Sequence, residues 1–243
     1  LAQWGLGRPD TARELAALAD AGINYSPTEV RRPAWTLDTH LHGLPAERPG
    51  PPEPGGPWER ACRVVRDYEF TPPESVRALY DPAVPLLGRN MLLQLRFHGL
   101  HLYCGVRITE VVDETRDDGA RVWGWAYETL DGHLERGKVT YEVVKYRDTG
   151  RVEFVAASHS QRAPDLDPVL TLGWSLFGRR AQLRFYRRCG VRIRDSVTAD
   201  SEGRAGPMPP ATPPRAWGLV WVPSDAGARF AHSPEIHCVT PGG

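Results

Sequence analysis

With 243 residues the chain is long enough for one large domain or two small ones, and for a substantial hydrophobic core. Lysine plus arginine and aspartate plus glutamate each total 30, so the formal net charge is zero, which excludes a nucleic-acid binder held by global charge and a polybasic membrane anchor. No apolar run approaches the roughly 20 residues that a bilayer span requires.

The opening LAQWGLGRPD lacks the charged and apolar regions of a signal peptide and an initiator methionine, so the extreme N-terminus is expected to be trimmed or an expression remnant. DTARELAALADAG (10–22) reads as a short amphipathic helix, with Asp10 as N-cap, Leu15, Leu18 and Ala19 on one face, and Gly22 as its stop. INYSPTEV follows, and LPAERPGPPEPGGP is a proline- and glycine-rich loop. WERACRVVRDYEF reads as a second helix burying Trp58, Cys62, Val65 and Tyr68, ended by Pro72 and Pro73.

The period then changes. NMLLQLRF, LHLYCGVRITEVVDE, RVWGWAYETL, KVTYEVVKYR and RVEFVAASHSQR are five β-rich runs joined by glycine-containing turns, the pattern of an antiparallel meander. No helical crossover separates them, so a doubly wound parallel sheet is excluded. A long helix should follow. Asp167 is its expected N-cap and Pro168 its first residue; Leu170, Trp174, Phe177, Ala181 and Phe185 face inward, and Gly190 is its stop. Gly173 and Gly178 weaken this helix or mark a break. ADSEGRAGPMPPATPPRA is a linker by composition, and WGLVWVP is one further strand or a docked peptide. Cys62, Cys104, Cys189 and Cys238 form no CxxC pair and are expected to be reduced, which points to the cytoplasm. The arginine-, proline-, glycine- and alanine-rich composition is compatible with a high-GC bacterium.

The expected fold is therefore α+β: a curved antiparallel sheet of at least five strands, with a long C-terminal helix and N-terminal helices. Its expected divisions are an N-terminal helical extension (1–22), a ligand-binding or catalytic domain (23–195), a linker (196–217) and a tail (218–243) with one docked strand. One helix against a strongly curved sheet leaves an apolar cavity, and such cavities hold ligands.

INYSPTEV, GRNMLLQLRFHGLHLYCGVRITEVVDE, WAYETLDGHLERG and FVAASHSQRA resemble one bacterial and plant family, the domain of unknown function numbered nineteen-ninety. Asn24, Tyr25, Ala126, Tyr127, Thr129, Leu130, Gly132, His133, Glu135 and Gly137 match its pattern, and Ser160 falls where its serine would. Glu128, Leu134, Lys138, Val139, Gln161 and Arg162 depart from it. The resemblance covers residues 23 to 192 and implies a relative of the START and birch-pollen-allergen helix-grip proteins; it implies no defined reaction.

In the turn-forming Asp131–Gly132 hairpin, His133 and Glu135 are candidates for a general acid/base pair, the carboxylate orienting the imidazole; alternatively both only tie down the loop. Tyr25 and Tyr127 complete the candidate catalytic set, and Asn24, Ser160, Trp125, Trp123 and Glu128 the candidate binding set. Alternation places Val152, Phe154, Ala156, Ser158 and Ser160 toward the cavity and His159 away from it, which excludes a Ser160–His159 nucleophile and base. The Trp123, Trp125, Tyr127 and Thr129 stripe is core, or a wall on which an aromatic ligand stacks; Glu128, on the other face, reads as exposed unless that face is inward.

TLDTHLHG carries Asp38, His40 and His42 at a metallohydrolase-like spacing, but two histidines alone are an incomplete site. Neither a P-loop nor a dinucleotide-binding glycine loop is present. The arginines of GRRAQLRFYRR form a cationic helix face, either solvated or facing an anionic ligand or carrier protein.

The functional expectation is a small-molecule-binding enzyme of bacterial specialised metabolism with no cofactor and no metal. It would act on a hydrophobic or polycyclic molecule by acid/base chemistry: cyclisation, isomerisation, dehydration or hydrolysis. No nucleic-acid or membrane partner is expected. The alternatives are a non-catalytic carrier of a lipid-like or polyketide-like ligand, and a metal-dependent hydrolase using Asp38, His40 and His42.

Overall fold

The computed structural model describes residues 3–6, 9–31, 33–97, 100–164, 168, 171, 178–201, 218–226 and 236–239. Its strands are β1 (Gln3–Leu6), β2 (Thr36–Leu44), β3 (Val76–Tyr80), β4 (Asn90–Phe97), β5 (Leu100–Thr115), β6 (Arg121–Thr129), β7 (Glu135–Lys145), β8 (Val152–Arg162), β9 (Val220–Val222) and β10 (Ile236–Val239). Its helices are α1 (Thr11–Ala17), α2 (Pro57–Arg66) and α3 (Arg179–Ser201).

The five expected β-runs form strands β4 to β8, each antiparallel to the next. Gly119 and Gly150 turn the chain between β5 and β6 and between β7 and β8, at φ of 81° and 74°. A register shift between Ile108 and Glu110 on β5 adds local bend. The sheet runs β2-β8-β7-β6-β5-β4-β3-β9, so strands outside the expected five extend it at both ends. TLDTHLHG is the core of β2 and pairs along β8 from Thr36–Ser160 to Leu44–Val152. In the tail, β9 pairs β3, while β10 lies parallel to Leu100–Tyr103 of β5, beyond the reach of β6, and pairs β1 on its other side.

Helices α2 and α3 cover one face of this sheet. Trp58, Ala61 and Val65 of α2 and Tyr186, Cys189, Ile193 and Val197 of α3 share one core with Met91, Leu93, Cys104, Val106, Trp125, Tyr141 and Phe154. On the opposite face, Leu15 and Leu18 of the α1 segment pack with Leu79, Leu92 and Tyr103. Asp10 caps α1 as expected, accepting from the Arg13 N–H at 3.1 Å. The helix stops at Ala17, short of Gly22, where the Arg107 guanidinium donates to the carbonyls of Leu18 (2.7 Å) and Ala21 (3.1 Å). Helix α2 also ends before the prolines: Tyr68 takes φ 60°, which turns the chain and lays its ring in the core. Cys62 is only partly buried and Ala61 takes its place on the inner stripe. All four cysteines are free thiols. Among the described residues no helix is long and apolar enough to cross a membrane.

The expected start of the long helix (Asp167, Leu170, Trp174, Phe177) lies outside the described residues. Its second half differs from expectation in two ways. The inner stripe is Tyr186, Cys189, Ile193 and Val197, one residue on from Phe185, and Ala181 is exposed. The helix also continues through Gly190 to Ser201, beyond the expected boundary at 195. Gly190 serves close approach instead of termination, since a Cβ there would lie 2.1 Å from Cγ and Nδ1 of His42 on β2. Alanine favours a helix by about 1 kcal/mol over glycine, yet an overpacked core costs about 1–3 kcal/mol. Gly190→Ala should therefore lower stability in urea unfolding, and His42→Ala should restore most of the loss in the double variant.

Candidate functional site

Strand β7 presents Glu135, Gly137, Val139, Tyr141, Val143 and Lys145 toward the helices, because alternate residues share a face. That face has an ionisable group at each end, and the two have opposite surroundings. Lys145 donates to the Glu47 carboxylate and to the Pro51 carbonyl (2.8 Å), with both charged side chains fully buried. Glu135 meets no such cation among the described residues. Its carboxyl accepts from the Ser160 hydroxyl at 3.4 Å and from the Gln182 amide of α3 at 3.5 Å. Gln182 also donates to the Ser160 Oγ at 3.3 Å, closing a polar triangle between β7, β8 and α3.

Burial pushes the Glu135 carboxyl up to about 7, against a smaller downward pull from Ser160 and from the Arg179 charge. The residue keeps partial solvent exposure although protein surrounds its carboxyl closely. That partial exposure separates Glu135 from the sealed Lys145. Beside this triangle, Arg179 is paired with Asp38 and donates to the Gln182 Oε1 at 2.9 Å.

His133 and Glu135 do come together, but not as a carboxylate orienting an imidazole. His133 Nδ1 lies 3.0 Å from both the main-chain nitrogen and the carbonyl oxygen of Glu135, so in either tautomer the ring is tied to the backbone. Burial holds the imidazole down to about 4, which keeps it neutral near pH 7. Asn24 likewise spends its amide on the hairpin: Nδ2 donates to the Glu135 carbonyl (3.0 Å), and Oδ1 accepts from the Thr129 hydroxyl (2.6 Å). Ser160 faces the helices as alternation demands, and His159 faces away.

Tyr25 lies on the other side of the sheet from Tyr127. Its hydroxyl donates to Glu128 at 2.6 Å and meets His159 Nε2 at 3.1 Å, with Trp35 against its ring. Glu128 and His159 share that outer face through Lys138, so Tyr25 and Glu128 form a clasp remote from the Glu135 carboxyl. Tyr127 is on the inner face beside Trp125 and Tyr141, and burial pushes its phenol well up. Trp125 is a core residue, fully buried with its indole N–H on the Val65 carbonyl of α2 (3.0 Å); the stacking wall expected there is occupied by protein. Trp123 is partly buried on the same stripe.

Asp38, His40 and His42 share the inner face of β2, as their spacing implies. Asp38 is paired with Arg179, His40 stacks on Tyr186 at 4.5 Å, and His42 packs on Gly190 and Phe154, while Nε2 of both histidines is buried without a hydrogen-bond partner among the described residues. Among the described residues no three His, Cys, Asp or Glu side chains form a metal-holding group.

Two contributors are hidden in the sequence. Gln182 is masked by the one-residue offset of the expected helix stripe; counting back from Val197, Ile193, Cys189 and Tyr186 in helical steps reaches it. Tyr186, stacked on His40, lies on the same stripe, and burial pushes its phenol up as well.

A family model described as "Domain of unknown function (DUF1990)" matches residues 24–192. Similar solved structures include the protein TTHA0849 from Thermus thermophilus, 13% identical with a TM-score of 0.45 over 68% of this chain and 99% of that one. A norcoclaurine synthase point mutant from Thalictrum flavum, in complex with a transition-state analogue, is 9% identical with a TM-score of 0.42, over 69% and 96%. Major latex-like protein 151 from Panax ginseng is 12% identical with a TM-score of 0.33, over 61% and 95%. None of the curated proteins matches in sequence. The matched span opens on Asn24, contains the whole 130–135 hairpin and closes within α3, and the chain belongs to the DUF1990 family.

Proposed function

We propose that the chain is a small-molecule enzyme of bacterial specialised metabolism, holding a hydrophobic or polycyclic ligand between the sheet and α3. It acts by cofactor-independent acid/base chemistry, with Glu135 as the proton-transfer group and Ser160, Gln182 and Tyr127 as polar contacts. The reaction class is cyclisation, isomerisation, dehydration or hydrolysis. The observation that carries this reading is the Glu135 carboxyl, buried without a paired cation among the described residues and pushed up to about 7. A general acid or base works best when its pKa lies near the working pH, and burial of a lone carboxyl is how that matching arises. His133 is assigned no proton transfer, since its Nδ1 is bonded and its ring stays neutral near pH 7.

Native mass spectrometry of the purified chain identifies the co-purifying molecule, which then serves as probe. Glu135→Gln should reduce its turnover by about 100-fold or more while leaving its Kd within about threefold. Turnover that survives the substitution removes Glu135 from the chemistry. A molecule bound by both forms and converted by neither makes the chain a carrier.

A further inference from the structure

The acid/base reading rests on where one carboxyl points, and the residues that aim it grip the main chain that bears it. The main chain of Glu135 is gripped from two sides: His133 Nδ1 lies 3.0 Å from its nitrogen and from its carbonyl oxygen, and the Asn24 amide donates to that carbonyl at 3.0 Å. Two residues on, the Gly137 N–H donates to the Thr129 hydroxyl at 2.8 Å, and that hydroxyl donates to Asn24 at 2.6 Å. Asn24 itself is fixed through its N–H on the Thr129 carbonyl (3.1 Å). Gly137, at φ 156°, passes so close to β8 that a Cβ would lie 2.1 Å from the His159 carbonyl oxygen, so the strand cannot rotate about that point.

A strap that only closed the fold would need none of this. Residues 22–24 are already paired to the hairpin through the Ile23–Leu130 bridge and the Asp131 N–H on the Gly22 carbonyl (2.9 Å). The Asn24 amide adds a fork that grips the residue bearing the carboxyl. We infer that Asn24 and Thr129 are positioning residues for Glu135, holding its side chain turned toward Ser160 and Gln182 and away from bulk water. This inference rests on the acid/base reading of Glu135 and says why the Asn24, Thr129, His133 and Gly137 positions accompany it.

The test is a carboxyl carbon NMR titration of the full chain labelled with carbon-13 glutamate, the Glu135 signal being assigned by its loss in Glu135→Gln. In the parent chain Glu135 should titrate near 7. In Asn24→Ala and Thr129→Val the midpoint should fall by ~1 pH unit or more as water reaches the carboxyl, while Thr129→Ser keeps it. The other glutamates should not move. A raised parent midpoint that stays put in both variants, while their Tm falls, makes Asn24 and Thr129 merely structural and overturns the inference. A parent midpoint in the ordinary glutamate range removes the acid/base reading itself. Should Asn24→Ala not fold, Thr129→Val decides alone, because it deletes the hydroxyl at nearly constant volume.

Discussion

At pH 8 the Glu135→Gln variant is expected to be more stable than the parent chain, by about 2 kcal/mol. The folded carboxyl titrates near 7, above the 4.5 of an unperturbed glutamate. Between those values the unfolded chain loses its proton and the folded chain keeps it, so stability falls as pH rises through that window and levels off above it. The full shift is worth about 3 kcal/mol, and the partial exposure of Glu135 reduces it. Glutamine keeps the shape and removes the titration.

His133 supplies the opposite slope. Its folded value of about 4 lies below the 6.5 of a free imidazole, so its contribution is lost as pH falls through that range. The two slopes offset one another in the parent between the two reference values, 4.5 for the carboxyl and 6.5 for the imidazole. In Glu135→Gln only the histidine slope remains, and stability should drop more steeply toward acid. Urea unfolding at half-unit pH steps measures both effects. A variant less stable than the parent at pH 8 would contradict the burial argument, because a carboxyl held against its own ionisation cannot be a net support there.

The second large effect belongs to the other end of β7. Lys145→Met should lower stability by about 3–5 kcal/mol, since it leaves the Glu47 carboxylate buried without its cation. Glu47 has further duties: its oxygens accept from the Trp58 N–H at the start of α2 (2.7 Å) and from the Glu53 N–H (3.0 Å). Glu47→Gln keeps one of these acceptors but turns an amide donor toward the ammonium or the Glu53 N–H, so a loss of similar size is expected. Raising the salt to about 0.5 M, roughly halving the screening length, should leave the parent's urea midpoint unaffected by screening of this pair, because ions do not reach it. If Lys145→Met cost under about 1 kcal/mol, the pair would have to be hydrated in solution.

Strands β4 to β8 can be read from the sequence because period-two alternation and glycine turns are local signals, and here each strand pairs with its chain neighbour. The hairpin at 130–135 stands out for the same reason. What alternation cannot supply is which face a distant segment crosses. Tyr25 and Tyr127 therefore group by residue type although the sheet lies between them, and Trp125 reads as a ligand wall although α2, placed by a proline-rich loop, already covers it. Residues 135 and 145 are equally open to the parity argument that puts Phe154 and Ser160 inside. Lys145 escapes notice because its partner Glu47 sits 98 positions away in that loop.

The pairing of β1 with β10 brings the first and last described strands side by side, Gln3 opposite Val239 and Leu6 opposite Ile236. These two strands can thus be spliced by a short bridge and the ring reopened in the Asp117–Gly119 turn without severing any ladder. Such a circular permutant would carry the same Glu135–Ser160–Gln182 triangle on a chain read in a new order.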